Sequence, residues 1–400
     1  MTFSTQSPSN QNPHIRILCV DDPAVKLYAE TGDLVSDWSK RTGISVEIVI
    51  LPWEKYPDTI FSGLKSGCVD FDIVMLPGYF WLPGFVANGW LTPLTNLITS
   101  HTPEWQAYDY DDILSAIRKE LEIDGTIYLL PSFSEVQIMY YRQDLLEKAG
   151  YSSLQSPVSL QSWLEIASRL NDPSNGLYGT HFKGASTESM VEWLPFYTAA
   201  GGVLPDGSTS KCFPDKTIIE SMKQLMAFLP YCRADVGQSD NASLFSLLTG
   251  GNVGIVNHWS GQLGPIMNKS VNSYATKYGF ASLEHPWGTV WAFGIPSTSN
   301  NKDAAFSCLL NLTGETADLQ QGKYSGSPAR HSSFIDQQAL NTYPWFPALL
   351  QCIERKNTFP SSPEFADLMG ELYSISHQIF SGEISAEDSA RKLSCRLDLQ

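Results

Sequence analysis

Apolar and polar positions along the chain change between a strand-like and a helix-like period, and that change predicts the elements. Ile15-Arg16-Ile17-Leu18-Cys19-Val20 is a short apolar run ending at Asp21-Asp22-Pro23, the pattern of a strand followed by a polar turn. Leu34, Val35 and Trp38 then recur at helical spacing up to Gly43, a residue suited to the left-handed position after a helix. A second strand is expected over 44–51, a short helix around Ile60 and Leu64, and a third strand over 71–76. Strand–helix–strand–helix–strand within about 60 residues predicts a mostly parallel α/β sheet. Ligands of such sheets sit beyond the carboxyl ends of the strands. Those ends are Asp21-Asp22, Pro52-Trp53 and the stretch 77–81.

The same alternation returns further on. Residues 138–141 read as a strand, and 160–170 as an amphipathic helix carrying Trp163, Leu164, Ala167 and Leu170. Buried strands are expected at 253–256, after Gly250-Gly251, and at 290–295, with a helix over 303–312. Residues 365–380 read as helical, and Ser385 with Asp388 three residues later forms a capping box that opens a last helix to about residue 397. With no internal repeat or long linker, two closely connected α/β lobes fit the pattern.

Composition narrows the function. A chain of 400 residues can bury two sizeable cores, and 42% hydrophobic against 17% charged residues excludes a disordered chain. The net charge of −16 argues against a nucleic-acid partner, whose phosphates need clustered Lys and Arg. The 11 Trp, 17 Tyr and 19 Phe exceed what two cores need, and recognition surfaces use such a surplus. Residues 1–13 lack a basic n-region and an apolar h-region and read as a flexible leader. Taken alone, that favours the cytosol unless a signal sequence was removed. No run approaches the ~18 apolar residues of a membrane span. The seven cysteines contain no CxxC pair, so neither a zinc site nor a dense disulfide framework is expected.

Catalytic patterns are missing: there is no GxSxG, HExxH, Walker loop or GxGxxG. Asp109, Asp111 and Asp112 lack the Gly and terminal Glu of a calcium loop and read as a solvated turn. Asp22 is open to two readings, an N-cap before Pro23 or a ligand-facing carboxylate at a strand end.

A resemblance emerges from several segments in order. Residues 71–94, FDIVMLPGYFWLPGFVANGWLTPL, resemble the first-lobe signature of extracellular solute-binding proteins of carbohydrate ABC transporters, a family similar to maltose-binding protein. DGTIYLLP at 124–131 followed by MYYRQDLL at 139–146 looks like the family's crossover. Residues 193–202 (WLPFYTAAGG), 251–259 (GNVGIVNHW), 293–305 (FGIPSTSNNKDAA) and 326–331 (GSPARH) continue the order, so the likeness runs from about His14 to Leu397. Arg142-Gln143 in place of Asn-Lys, and the missing signal peptide and lipobox cysteine, depart from it.

The resemblance implies a two-lobed periplasmic-binding-protein-like fold of type II, with mostly parallel sheets and hinge crossings. A first lobe would comprise 14–135 plus 284–312 and a second 138–281 plus 313–400, with crossings near 135–137, 281–284 and 312–314. It implies capture of a sugar or oligosaccharide between the lobes, with rings stacked on aromatic faces and hydroxyls bonded to polar side chains. The candidate ligand-binding residues are Asp22, Trp53, Tyr79, Glu135, Trp259, Trp287 and Arg330. Trp193 and Tyr197, one helical turn apart, have a spacing commoner in cores. The expected partners are the membrane permease subunits of an importer. The protein is expected to be an extracytoplasmic monomer without cofactor or metal, its signal sequence having been removed. Two rivals remain. A glycan-processing enzyme would need two carboxylates across the cleft, for which Asp22 and Glu135 are the candidates. A binder of acidic or phosphorylated solutes would need clustered Arg and Lys.

Overall fold

The computed structural model describes residues 14–30, 33–68, 70–205, 213–360 and 363–397; the leader at 1–13 lies outside them. Strand β1 (His14–Val20) runs between β2 (Ser45–Leu51) and β3 (Ile73–Pro77), parallel to both. The helices Asp33–Thr42 and Tyr56–Ser66 make the crossovers. Gly43 and Gly67 end them at φ of 73° and 67°, where a side chain would be strained. The Asp124-Gly125 turn, also left-handed, closes the hairpin of β4 (Glu122–Ile123) and β5 (Thr126–Ile127).

The long strand β6 (Leu129–Arg142) connects the two lobes. Its first half, up to Val136, pairs antiparallel with β9 (Gly288–Gly294), which also pairs with β3. From Gln137 onward it pairs with β7 (Ile255–Trp259) and then β8 (Tyr278–Ala281). One strand therefore changes partners between Val136 and Gln137, and the chain returns between Ala281 and Gly288. Among the strands β1 to β9, only β1–β2 and β1–β3 pair in parallel and the other strand pairs are antiparallel, with isolated parallel bridges at Val158–Leu283, Tyr178–Val253 and Trp287–Asn357. The sheet is mixed rather than mostly parallel, because hydrophobic period carries no information on strand direction.

After residue 312 the chain bridges the lobes. Tyr108 and Thr313 share a hydroxyl bond of 2.9 Å, and Gln321 Nε2 donates to Tyr28 Oη at 3.1 Å, both on the first-lobe side. On the other side, Ser327 Oγ lies 3.0 Å from Ser260 Oγ and Trp345 packs edge-on against Phe280. Two cores result. One holds Ile15, Ile17, Val74, Phe85 and Phe293 and continues through Ile353. The other holds Trp163, Phe182, Trp193, Phe228 and Ile379. The capping box closes as expected, with Ser385 Oγ accepting the Asp388 N–H at 3.0 Å before the helix Ala386–Leu397. Among the described cysteines, Cys19, Cys308 and Cys352 are buried thiols, Cys232 is half-buried and Cys68 is exposed.

Candidate functional site

The end of β1, the middle of β6 and the end of β7 converge where the lobes meet. Asp22 follows β1, and its Oδ1 caps the turn 23–25 by accepting the Ala24 N–H at 2.8 Å. Glu135 sits on β6 one residue before the partner change and is nearly buried. Its Oε1 accepts the Gly261 N–H at 2.9 Å, in the turn that follows β7. Behind that turn the Ser260 hydroxyl accepts the Val136 N–H at 2.9 Å. The hinge strand and the mouth of the second lobe are thus tied by hydrogen bonds.

Burial sets the electrostatics. It raises the Asp22 carboxyl to about 7, with the negative charge of Asp21 adding to the shift and the Ala24 N–H opposing it. Glu135 is raised well above the usual carboxylate range by burial first and by the charge of Asp22 second. Gly261 N–H and Lys183 pull it the other way. Lys183 is buried on an extended segment that runs beside β7, where Gly179 accepts from Ile255 N–H. Its Nζ lies 3.3 Å from Glu188 and 3.2 Å from Glu192, and Asn241 Nδ2 donates to Glu188 at 2.9 Å. Burial lifts Glu192 to about 7 against the attraction of Lys183.

Aromatic rings stand on both lobes. Trp259, half-buried at the end of β7, has Lys183 Nζ 4.6 Å from its ring centroid. On the first lobe Trp53, 40% exposed, stacks on Trp81 at 5.9 Å between centroids and meets the edge of Trp291 at 6.0 Å. Rings on both lobes, with a buried carboxylate on the strand that joins them, suit a solute with an apolar C–H face and a hydroxylated rim.

Two candidates are corrected. Arg330 is buried, and its guanidinium is spent within the protein: Nη1 donates to the Asp109 carbonyl at 2.9 Å and faces Asp112 at 3.4 Å. Nε and Nη2 share the Thr313 carbonyl, and the whole group lies over the Tyr108 ring. Trp287 is buried against Phe359, with its Nε1–H donating to Thr198 Oγ1 at 3.0 Å. Trp291, four residues on, takes the half-exposed position instead. Tyr79 is the second residue of the helix Gly78–Ala87, and its side chain lies outside the described set. The structure brings together Asp22 and Glu135, sets Trp53 on the first lobe and Trp259 on the second, and leaves Trp287 and Arg330 in the interior. Trp193 and Tyr197 are core residues.

Asp112 proves structural: it accepts from Ser332 N–H at 2.9 Å as well as facing Arg330. Sequence reasoning missed Lys183, Glu188, Glu192 and Asn241. Glu188 and Glu192 stand one helical turn apart, a spacing that becomes informative only when Lys183, distant in pattern, is known to lie between them. Among the described residues no group of three potential metal ligands is assembled. Cavities of about 610 Å³, between the helices Pro363–Phe380 and Ala386–Leu397, and about 410 Å³, beside the β4–β5 hairpin, lie away from this site.

Comparison with known proteins agrees with the two-lobed fold. The family model described as bacterial extracellular solute-binding protein matches residues 23–317. The mannitol-binding protein of Pseudomonas aeruginosa is 27% identical over 332 residues, covering 78% of this chain and 73% of the relative. A probable amino-acid ABC transporter periplasmic-binding protein of Sinorhizobium fredii is 25% identical over 78% of this chain and 72% of its own. Among solved structures, an ABC transporter solute-binding protein from Agrobacterium radiobacter in complex with ribitol superposes with a TM-score of 0.84 at 18% identity, covering 97% of this chain and 98% of that one. Maltose-bound MalE3 of T. maritima superposes equally well, with a TM-score of 0.84 at 18% identity over 96% and 99% of the two chains.

Proposed function

The chain belongs to the bacterial extracellular solute-binding proteins, and on that premise we propose that it captures a sugar, oligosaccharide or sugar alcohol between its lobes and delivers it to the permease subunits of an ABC importer. The observation that supports this reading is that Trp53 and Trp259 stand on opposite lobes, with Glu135 on the hinge strand that joins them and Asp22 after β1. Names of the relatives point the same way, since one is a mannitol-binding protein and one solved neighbour holds ribitol. The proposed contacts are stacking on Trp53 and Trp259, with Trp291 supporting the first, and hydroxyl bonds to Asp22 and Glu135.

The family is one of binding proteins, and turnover of the solute is not expected here. Its members are extracellular, which puts the protein outside the cytoplasm, either free in a periplasm or anchored at the cell surface. Among the described residues no helix is long and apolar enough to cross a membrane. A monomer is the expected working form. A thermal-shift screen over sugars and polyols tests the reading, because a ligand at 100 times its Kd adds about 2.7 kcal/mol of stability. Chromatography of the best binder after incubation should return it unchanged. Steady product release would instead make the protein an enzyme.

A further inference from the structure

The tryptophans differ in what fixes their rings. Trp163, Trp193, Trp287 and Trp345 each donate an indole hydrogen bond, to Thr180, Ser221, Thr198 and the Gly326 carbonyl. Trp53, Trp81 and Trp291 are held by contacts among their own rings. The backbone of Trp259 is fixed, since it pairs with Gln137 and its carbonyl accepts from Tyr140 Oη at 3.0 Å. Its indole packs against the edge of the second core. Among the described residues, however, no aromatic ring contact and no hydrogen bond from Nε1 sets the orientation of that indole. What lies over it is Lys183 Nζ, 4.6 Å from the ring centroid.

That ammonium is itself held on every side. Lys183 is 1% exposed, and lysine is seldom so buried unless paired. Nζ lies 3.3 Å from Glu188 Oε2 and 3.2 Å from Glu192 Oε1. Asn241 Nδ2 holds Glu188 by donating to its other oxygen at 2.9 Å. The backbone is confined as well: a Cβ on Gly179 would stand 1.9 Å from the Ala167 carbonyl oxygen, and one on Gly184 2.4 Å from that of Val236. A buried ion pair adds little over well-packed apolar side chains of similar volume, so stability alone does not account for a lysine here. What the arrangement supplies is a cation held against one indole face.

We propose that Lys183 is a positioning residue for solute binding: its ammonium, set by Glu188 and Glu192, holds the indole of Trp259 in the orientation that stacks on the solute. This deepens the solute-binding reading and rests on it. Lys183 acts through the ring and not by touching the solute. Without it the indole turns about its side-chain torsions, and ordering it again on binding costs affinity.

Two measurements on the full chain test this. The first needs no ligand. In protein labelled with 5-fluorotryptophan, the fluorine resonance missing from Trp259→Phe identifies Trp259. Lys183→Met should shift and broaden that resonance while the resonance of Trp53, on the other lobe, stays in place. An unmoved Trp259 resonance overturns the proposal. The second is a double-mutant cycle by calorimetry, using the tightest binder among mannitol, ribitol, glucose and maltose. Lys183→Met should lose at least fivefold in affinity in the wild-type background and less than twofold in a Trp259→Ala background, because its effect passes through the ring. Lys183→Arg keeps the charge and should stay within threefold of the wild type. Unchanged affinity in Lys183→Met, equal losses in both backgrounds, or equal losses in Lys183→Arg and Lys183→Met overturn the proposal and leave the solute-binding reading in place. Should Lys183→Met not fold, Lys183→Met with Glu192→Gln leaves no charge stranded at residue 192 and carries the same comparison. Silence from every probe toward the folded wild type overturns the solute-binding reading, and the proposal with it.

Discussion

The backbone N–H of Gly261 donates to Glu135 Oε1 at 2.9 Å, and the space between the two residues admits no side chain. A Cβ on Gly261 would stand 2.7 Å from Glu135 Oε2 and 3.0 Å from the Phe133 ring. The second lobe thus holds a hinge-strand carboxylate through a glycine that cannot be replaced without moving it. Gly261→Ala should lose about 1–3 kcal/mol of stability, the range for overpacking, and at least 10-fold in affinity. Urea denaturation and calorimetry measure the two. Unchanged affinity in the folded variant would remove Glu135 from the binding surface.

Stability of the empty protein should depend on pH through Asp22. Its folded pKa is raised from 3.8 to about 7, chiefly by burial. Between those values the folded state binds the proton that the unfolded state has lost, so this group's contribution falls as pH rises from about 4 to 7 and is flat above. Asp22→Asn keeps an acceptor for the Ala24 N–H and removes the titration. The variant should match the wild type near pH 4 and exceed its melting temperature at pH 8. His181, pushed down to about 4 by burial, acts in the opposite direction but equally in both proteins, so it cancels from the difference. Scanning calorimetry across pH 4–8 would show the gap opening; a constant gap would mean that Asp22 is not responsible.

Much of the fold was legible because it rests on local signals. The β1 run, the capped helix at Ser385 and the helix Leu160–Leu170 all follow from periodicity and end residues. The direction of β9 and the sharing of β6 between lobes were not legible, since pairing is decided by partners distant in sequence. The site divides in the same way. Asp22 and Trp53 stand at strand ends, where position alone marks them. Arg330 was misread because a guanidinium in a loop is indistinguishable in sequence from one buried against Asp112 and Tyr108. Trp287 and Trp291 share a period, and only the packing of Phe359 and Trp53 tells them apart.

Arg330 accordingly belongs to stability. Removing it leaves Asp112 without its buried cation and two carbonyls without donors. Arg330→Met should cost about 3–5 kcal/mol, as for breaking one side of a buried pair. Ligand affinity measured well below the melting temperature should stay within threefold of the wild type. A tenfold loss of affinity with little loss of stability would return Arg330 to the binding surface.

Trp259 is expected to show the reverse balance. It is half-buried, packed against the edge of the second core with Lys183 Nζ 4.6 Å from its ring centroid, and not enclosed as Trp163 is. Trp259→Ala should therefore cost about 2–4 kcal/mol of binding, the range for a central aromatic anchor. Its effect on folding should stay below the ~3–5 kcal/mol expected for a core tryptophan such as Trp163. Parallel titration of both variants by calorimetry and denaturant separates the roles. A Trp259→Ala protein that unfolds as readily as Trp163→Ala while binding normally would make Trp259 a core residue.

Closure follows from where these contacts lie. Trp53 belongs to a turn after β2 and Trp259 to the end of β7, while β6 and the return between Ala281 and Gly288 link the lobes. A ligand touching one tryptophan gains the other only if the lobes approach. That difference in contacts between open and closed forms is what lets a ligand shift the population. Hydrogen bonds at the hinge tie Ser260 to Val136 and the Ser134 N–H to the Ser327 carbonyl. Saturating ligand should therefore lower the radius of gyration in small-angle scattering at unchanged mass, and Trp259→Ala should weaken the ligand dependence of that change. Scattering that stays constant at saturation would place the ligand within one lobe, and the pairing of Trp53 with Trp259 would fail.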